Sequence, residues 1–398
     1  MSSVLPSSLQ SALRLPLIET ITEAGGRAKP GDLYQALADK LGLEDGALAA
    51  TRAPATSRPY RIFQQQVRWA RQNAVLDGLI SRETRGVWEL TRNGRRFAEL
   101  TRIKPGHVVL LYRQDDGLAL CAHAEDAASV IERGSLNLIL TSPPYPVVNR
   151  AYGRMSVPDW LAWMSELMGL WKQLLQPDGT IAINLMDIHR AGSPTLDPYV
   201  ERFTLDAIDT HGLNLAGRMP WHSPTKLGHL EWTSKRKVQP RQTLEHVLLF
   251  SASDHPAWDA TRLPPRRRKA LTPAQLAAEA KRVDKMTRPS GLVIRGGAFG
   301  SDHPIADNLI VAGGAPGTDH YSRRCKATNL PVHPARMPGL LARSTIQLTT
   351  DVGETVYDPC AGSGVVAQAA RELGRRWITS EPVLEYAEGS RFRFETLL

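Results

Sequence analysis

Two short runs in this 398-residue chain combine residue types that could do chemistry. The first, Thr141-Ser142-Pro143-Pro144-Tyr145, closes an apolar strand pattern that includes Leu138-Ile139-Leu140. An exocyclic amine on a heteroaromatic ring is a poor nucleophile, because its lone pair is delocalised into the ring. Two acceptors aimed at its hydrogens draw the nitrogen toward a pyramidal geometry and free that pair. Ser142 Oγ can be one acceptor and the Pro143 carbonyl the other, fixed by the rigid Pro143-Pro144 backbone. Tyr145 can stack on a base flipped out of a duplex.

The second run, Asp358-Pro359-Cys360-Ala361-Gly362-Ser363-Gly364, follows the strand pattern Thr355 to Tyr357 and precedes a helix over Val365 to Leu373. Gly362 and Gly364 permit a tight turn and a close backbone approach to a ligand. A strand over Arg376 to Thr379 leads to Glu381, which falls about 20 residues past the loop, where an acid can accept from ribose hydroxyls. Strand, loop, helix, strand and acid in sequence say more than a glycine loop alone. The dinucleotide G-x-G-x-x-G pattern and a Walker lysine are both absent, which argues against hydride or phosphoryl transfer. The two runs together imply methyl transfer from S-adenosylmethionine to an exocyclic amine of a DNA base. Such a donor is already activated, so positioning supplies much of the rate.

The elements that must hold these runs divide the chain into four stretches. Residues 1–104 read as a winged-helix DNA-binding domain. Leu17, Ile18 and Ile21, then Leu33, Leu37 and Leu41, then Phe63, Val67, Trp69, Ala70 and Leu76 mark three helices, and Leu79-Ile80 with Val87 to Leu90 marks a two-stranded wing. Arg58, Arg61 and Arg68 are its DNA-contact candidates, weighed against a solvated helix face. Residues 105–250 alternate strand and helix, the grammar of a parallel-rich α/β sheet. There the face Trp160, Trp163, Met164, Leu167 and Trp171 reads as core, and Pro177-Asp178-Gly179 as a turn into a strand over Thr180 to Leu185. Residues 251–325 break the alternation and carry Arg266, Arg267, Arg268 and Lys269, so they read as a DNA-facing target-recognition insert. Residues 326–398 restore the alternation and carry the glycine loop.

Composition bounds the rest. A net charge of +9 suits a polyanionic partner or simple solubility. Cys121, Cys325 and Cys360 lack metal-ligand spacing and fit a reducing compartment. No apolar run is long enough to span a membrane and no signal peptide is evident, so the chain reads as cytoplasmic. Cys360 follows a proline but sits in the cofactor turn, and reads as a small buried loop residue. His222, His229 and His246 lack partners at ligand spacing, so no metal site is expected.

The motifs resemble those of β-class DNA amino-methyltransferases. His333-Pro334-Ala335, the run from Gly353 to Gly364, Glu372 to Ile378, Trp221 to Pro224 and Glu245 to Ser251 all fit that pattern, as do Thr141 to Tyr145. The resemblance implies a Rossmann-like S-adenosylmethionine-dependent fold, circularly permuted so that the catalytic half precedes the cofactor half. It implies that Asp358 and the loop backbone hold the methionine part, that Glu381 holds ribose, and that Thr141, His333 and Pro334 belong to the cofactor site. Cys360 stands where the family usually has Phe, and His123, Glu125 or Asp126 is left as the adenine contact. Ser142 is associated with N4-cytosine methylation; N6-adenine methylation and a non-catalytic winged-helix regulator are the alternatives. Double-stranded DNA is the implied partner, and the class also admits a homodimer and a cognate restriction endonuclease. The stretch from Gly25-Gly26 through Arg68-Trp69-Ala70 to Gly94-Arg95 resembles the N-terminal domain of Mrr-type restriction proteins.

Overall fold

Periodic apolar residues near the N-terminus close on a core of their own. The computed structural model describes residues 13–395 apart from 42, 44–47, 53–58, 77, 85, 101, 116, 148–154, 227, 265–271, 282–285, 288–292, 295–305 and 315. In chain order the first unit contains α1 (Arg14–Glu23), β1 (Arg27–Ala28), α2 (Pro30–Lys40), β2 (Thr51–Arg52), β3 (Tyr60–Arg61), α3 (Ile62–Leu76), β4 (Trp88–Glu89) and α4 (Arg92–Glu99). Leu17, Ile21, Leu33, Leu37, Phe63 and Val67 meet in one buried cluster, each pair three or four residues apart and so on one helical face. Trp69 and Leu76, which help to mark α3 in the sequence, are 53% and 58% exposed. With Phe63, Val67, Ala70 and Ala74 facing inward, the 3.6-residue repeat carries positions 69 and 76 to the far side of α3. The wing differs too: Ile80 and Leu90 form only an isolated bridge, and β4 pairs instead with β1. Helix α4, absent from the sequence reading, is started by Thr91, whose Oγ1 accepts the Gly94 N–H at 3.0 Å.

The second unit continues with β5 (Val109–Gln114), β6 (Gly117–Cys121), α5 (Ala124–Ala128), β7 (Leu136–Thr141), α6 (Val157–Leu174), β8 (Leu175–Leu185), α7 (Tyr199–Asp209), β9 (Asn214–Arg218), β10 (Trp221–His222) and β11 (Leu244–Ser251). Then come α8 (Pro273–Ala280), β12 (Met286–Thr287), β13 (Val293–Ile294), β14 (Ile310–Val311), α9 (His320–Ala327), α10 (Gly339–Thr349), β15 (Thr355–Asp358), α11 (Val365–Glu372), β16 (Arg376–Ser380) and α12 (Leu384–Ser390). Ten of the strands form one sheet in the order β14-β10-β11-β8-β7-β15-β16-β6-β5, with β9 also on β11. Strands β6, β16, β15, β7 and β8 run parallel. Central parallel strands are covered on both faces, which explains their unbroken apolar runs. Trp160, Met164, Leu167 and Trp171 of α6 cover one face with Ile139, Ile181 and Ile183. On the other face Leu138, Leu140 and Ala182 pack with α10 and α11. Alternate residues of one strand thus serve opposite cores.

Two sequence expectations change here. Strand β8 starts at Leu175, ahead of the expected Thr180, and the Pro177-Asp178-Gly179 turn lies inside it: Leu175 pairs with Leu136 and Thr180 with Leu138, so Gln176 to Gly179 stand out of the ladder. The segment after β11 stays on the domain at both ends. Trp258 Nε1 donates to Thr180 Oγ1 at 2.9 Å, Leu263 is buried, and β14 adds to the sheet edge beside β10.

The permuted order has a direct spatial consequence. The chain leaves β15 through α11 toward β16 on one side, and leaves β7 through α6 toward β8 on the other. Strands β7 and β15 are neighbours, with Leu138 opposite Val356 and Ile139 opposite Tyr357. Asn137 Oδ1 accepts the Thr355 N–H at 3.1 Å, although the residues are 218 apart in sequence. In an open parallel sheet, the crevice at such a reversal of direction is where ligands bind.

Candidate active site

Both sequence motifs leave the sheet at that crevice, from the adjoining ends of β7 and β15. One cavity of about 1040 Å³ is lined by Ser142, Tyr145, Asp358, Gly362 and Glu381 among others. That is at the upper end of the ~300–1,000 Å³ typical of small-molecule pockets, with room for a nucleoside-sized donor and an extruded base.

The Ser142 to Tyr145 tip is held by a network of side chains from distant parts of the sequence. Trp160 Nε1 donates to the Pro144 carbonyl at 2.7 Å, tying the Pro143-Pro144 turn to α6. Tyr145 OH donates to Glu245 Oε2 at 2.9 Å, and Asn184 Nδ2 donates to the same oxygen at 2.9 Å. Lys226 Nζ pairs with Glu245 Oε1 at 2.9 Å. Asn184 Nδ2 also lies 2.8 Å from Tyr145 OH, and Ser142 Oγ lies 3.1 Å from it. A phenol has one hydrogen, and Tyr145 gives it to a carboxylate that can only accept. Ser142 must therefore donate its own proton to Tyr145, which leaves its lone pairs for an incoming amine. Burial and the Glu245 charge both push the Tyr145 hydroxyl well above its ordinary value, so it stays a phenol. Of Glu245, Asn184 and Lys226, the sequence singles out only Glu245, as the first residue of the Glu245 to Ser251 run, and nothing local places it beside Tyr145.

The glycine loop shows why its residues are needed. Gly362 has φ +49°, and a Cβ there would sit 2.8 Å from the His333 ring; Gly364 has φ +74°, with Ser390 Cβ 2.9 Å from the same addition. A Gly364→Val variant is expected to lose donor binding by at least tenfold, since strain and clash add. Calorimetric titration with S-adenosylhomocysteine checks this, and unchanged affinity would remove the loop from the site.

Asp358 and Glu381 are buried acids on either side of the loop. Asp358 Oδ1 accepts the Cys360 N–H at 3.1 Å, while the two Glu381 oxygens accept Gly362 N–H at 3.0 Å and Val383 N–H at 3.1 Å. Desolvation nevertheless dominates and raises both carboxyls to about 7, against the smaller opposing effect of these hydrogen bonds. A ligand offering hydroxyl donors to Glu381 and positive charge nearby would favour the ionised forms. The residues therefore fit a sulfonium nucleoside.

That shift has a signed consequence. Unfolded carboxyls titrate near ~4, so between about pH 4 and 7 the donor-free fold binds more protons than the unfolded chain. Their contribution to stability is complete below ~4 and is lost as pH rises through about 7. Donor binding favours the ionised forms, so its affinity is expected to rise over pH 6 to 8. The rise in melting temperature produced by S-adenosylhomocysteine should thus be larger at pH 8 than at pH 6, and Glu381→Gln should flatten that difference. Equal shifts at both pH values in the unaltered protein would exclude the linkage.

The other candidates separate clearly. His333, Pro359, Cys360, Ala361 and Ser363 line the cavity, whereas Thr141, Pro334 and Gly364 do not touch it. Thr141 is fully buried, and its hydroxyl pulls the Asp358 carboxyl down against the larger effect of burial. Burial and the Asp358 and Glu381 charges push the Cys360 thiol well above its ordinary value, so it is no nucleophile. Of the three candidates after β6, His123 and Glu125 line the cavity; Asp126 Oδ2 turns away to accept the Gly106 N–H at 2.8 Å. Trp163, expected in the core, also lines the cavity and donates its indole N–H to Glu125.

Arg61 and Arg68 are exposed on the first unit, and Arg68 Nε donates to Tyr34 OH at 3.3 Å. Arg58, Arg266, Arg267, Arg268 and Lys269 lie outside the described residues. Among the described residues no cluster of His, Cys, Asp or Glu could hold a metal ion, and no helix is long and apolar enough to cross a membrane. His246 instead pairs with Asp187 at 2.9 Å.

Known proteins resemble this chain in sequence and fold. A family described as DNA methylase matches residues 136–391, and the Mrr N-terminal domain matches residues 11–99. The type II methyltransferase M.PvuII of Proteus hauseri is 30% identical over 275 residues, covering 65% of this chain and 78% of its own. M.BglII of Bacillus subtilis is 22% identical over 262 residues, covering 65% and 63%. The solved structure of the PvuII DNA methyltransferase (cytosine-N4-specific) superposes with a TM-score of 0.58 at 24% identity, covering 74% of this chain and 89% of that one. The last likeness is one of fold.

Proposed function

We infer that this chain, which belongs to the DNA methylase family, transfers a methyl group from S-adenosylmethionine to the exocyclic N4 amine of cytosine in DNA. The carrying observation is the single cavity lined by both the Ser142 to Tyr145 tip and the Asp358 to Ser363 loop. When bound, S-adenosylmethionine supplies an activated methyl on a sulfonium. Asp358, the loop amides and Glu381 bind and orient it; Arg336, held by Asp319 at 2.8 Å and lining the same cavity, adds a fixed positive charge.

Ser142 Oγ and the Pro143 carbonyl accept from the target amine and bring its lone pair to bear. After alkylation the nitrogen carries one proton too many. It can pass to Ser142 Oγ as Ser142 gives its own proton to Tyr145 and Tyr145 gives its own to Glu245. Each hydroxyl is restored, and one proton ends on the carboxylate. Lys226 holds that carboxylate in place. Serine at position 142 and the cytosine-N4 specificity of the PvuII enzyme support the choice of base. Arg61 and Arg68 offer the winged helix a contact with the DNA backbone. The role is modification of specific sites, in restriction–modification or epigenetic marking.

Nucleoside mass spectrometry on plasmid DNA incubated with the protein and isotopically labelled donor tests the reading. Labelled N4-methylcytosine is expected. Labelled N6-methyladenine would overturn the choice of base while keeping the site, and no label in DNA despite donor binding would overturn the activity.

A further inference from the structure

The donor cavity is not built by the sheet domain alone. Arg14 and Pro16 of α1, Phe97 of α4, and Arg102 and Pro105 of the connecting segment stand in its wall beside Glu381, Pro382 and Val383. The connecting segment is fastened to that wall by backbone. Ile103 N–H donates to the Pro382 carbonyl at 3.0 Å, and Arg102 forms an antiparallel bridge with Val383. Val383 N–H in turn donates to Glu381 Oε1, the acid assigned to ribose. His123 Nε2, 3.2 Å from the Ile103 carbonyl, must be the donor there, since a carbonyl oxygen can only accept. One short segment therefore touches two residues facing the donor.

Side chains reinforce the joint. The Phe97 ring lies 4.5 Å from the Arg102 guanidinium carbon and 5.2 Å from that of Arg14. Arg14 is only 5% exposed and Phe97 only 7%. Such cation–π contacts gain strength when desolvated. A loosely tethered DNA-binding module would keep its arginines in water and leave the cofactor wall to the sheet.

We propose that the winged-helix domain completes the donor site: Arg14, Phe97 and Arg102 close the end of the cavity beyond Glu381, and Arg102-Ile103 fix the loop that carries the ribose-binding acid. This rests on the donor assignment made above. The domain thus has a second task besides contacting DNA, and duplex bound to it shares one rigid joint with the donor.

The test uses the full chain and S-adenosylhomocysteine as probe. Calorimetry on Arg102→Ala is expected to show a dissociation constant about tenfold higher than that of the unaltered protein, equivalent to about 1.4 kcal/mol. Hydrogen exchange on the unaltered protein, which does not depend on the variant folding, should show the probe protecting the stretch from Phe97 to Gly106. Equal affinity in Arg102→Ala would overturn the proposal, as would protection confined to the Asp358 to Gly364 loop and Glu381. A wild-type protein that does not bind the probe would overturn the donor assignment itself, which separates the two failures.

Discussion

Ser142→Ala is expected to lower single-turnover methyl transfer by about 10²–10³-fold while leaving S-adenosylhomocysteine affinity within about twofold. The substitution replaces the hydroxyl by hydrogen, a net loss of one oxygen. No cofactor-loop residue touches that oxygen; its partners are Tyr145 OH at 3.1 Å and Asn184 Nδ2 at 3.4 Å. What vanishes is the acceptor that reshapes the amine, a contribution made as charge develops and not when the donor binds. Tyr145→Phe probes the same chain one link further on. It keeps the ring that faces the base and breaks only the path to Glu245, so a loss of about tenfold is expected. The order of the two effects is the discriminating result. A Ser142→Ala protein with more than a tenth of normal turnover would mean that the Pro143 carbonyl suffices and that the serine is incidental.

Glu245→Gln should cost about 10²-fold in turnover, although the residue stands 100 positions from Tyr145 in sequence. The carboxylate is the only member of the network that accepts without donating, so it sets the direction of every proton in it. An amide can present either end. Tyr145 could then donate toward Ser142, and Ser142 Oγ would lose the lone pair meant for the amine. Lys226 would also lose its ion-pair partner. Because the Lys226 side chain is 23% exposed, water can replace part of that loss, and the stability cost should stay near ~1–2 kcal/mol, below the 3–5 of a fully buried broken pair. Rapid-quench kinetics with a thermal melt reads both quantities. Wild-type rates in a folded Glu245→Gln protein would show that the network is scaffolding and carries no proton.

Much of this was legible before any coordinates. The Leu138 to Tyr145 run and the run from Thr355 to Gly364 combine strand patterns with residues whose chemistry is local: a proline pair that stiffens, a hydroxyl that accepts, glycines that tolerate positive φ. The separate N-terminal core was legible for the same reason, since helical periodicity is a property of neighbours in sequence. Errors arose where burial depends on what an element packs against. Trp69 and Trp163 both lie on amphipathic helices; which side of the stripe touches the core is settled by the partner surface. Pro177-Asp178-Gly179 does turn the chain, but inside β8 and not before it, because Leu175 already pairs with β7.

Residue type and short-range order pointed to the reaction class, the glycine loop and Ser142 as candidates, because each depends on bonds among residues within a few positions. Only the tertiary structure could decide that β7 and β15 lie side by side, that Asn184 and Glu245 converge on Tyr145 with Lys226 paired to Glu245, and that the N-terminal unit reaches the cavity wall. Those contacts join residues tens to hundreds of positions apart, and they are selected by how whole faces pack. No local pattern encodes them.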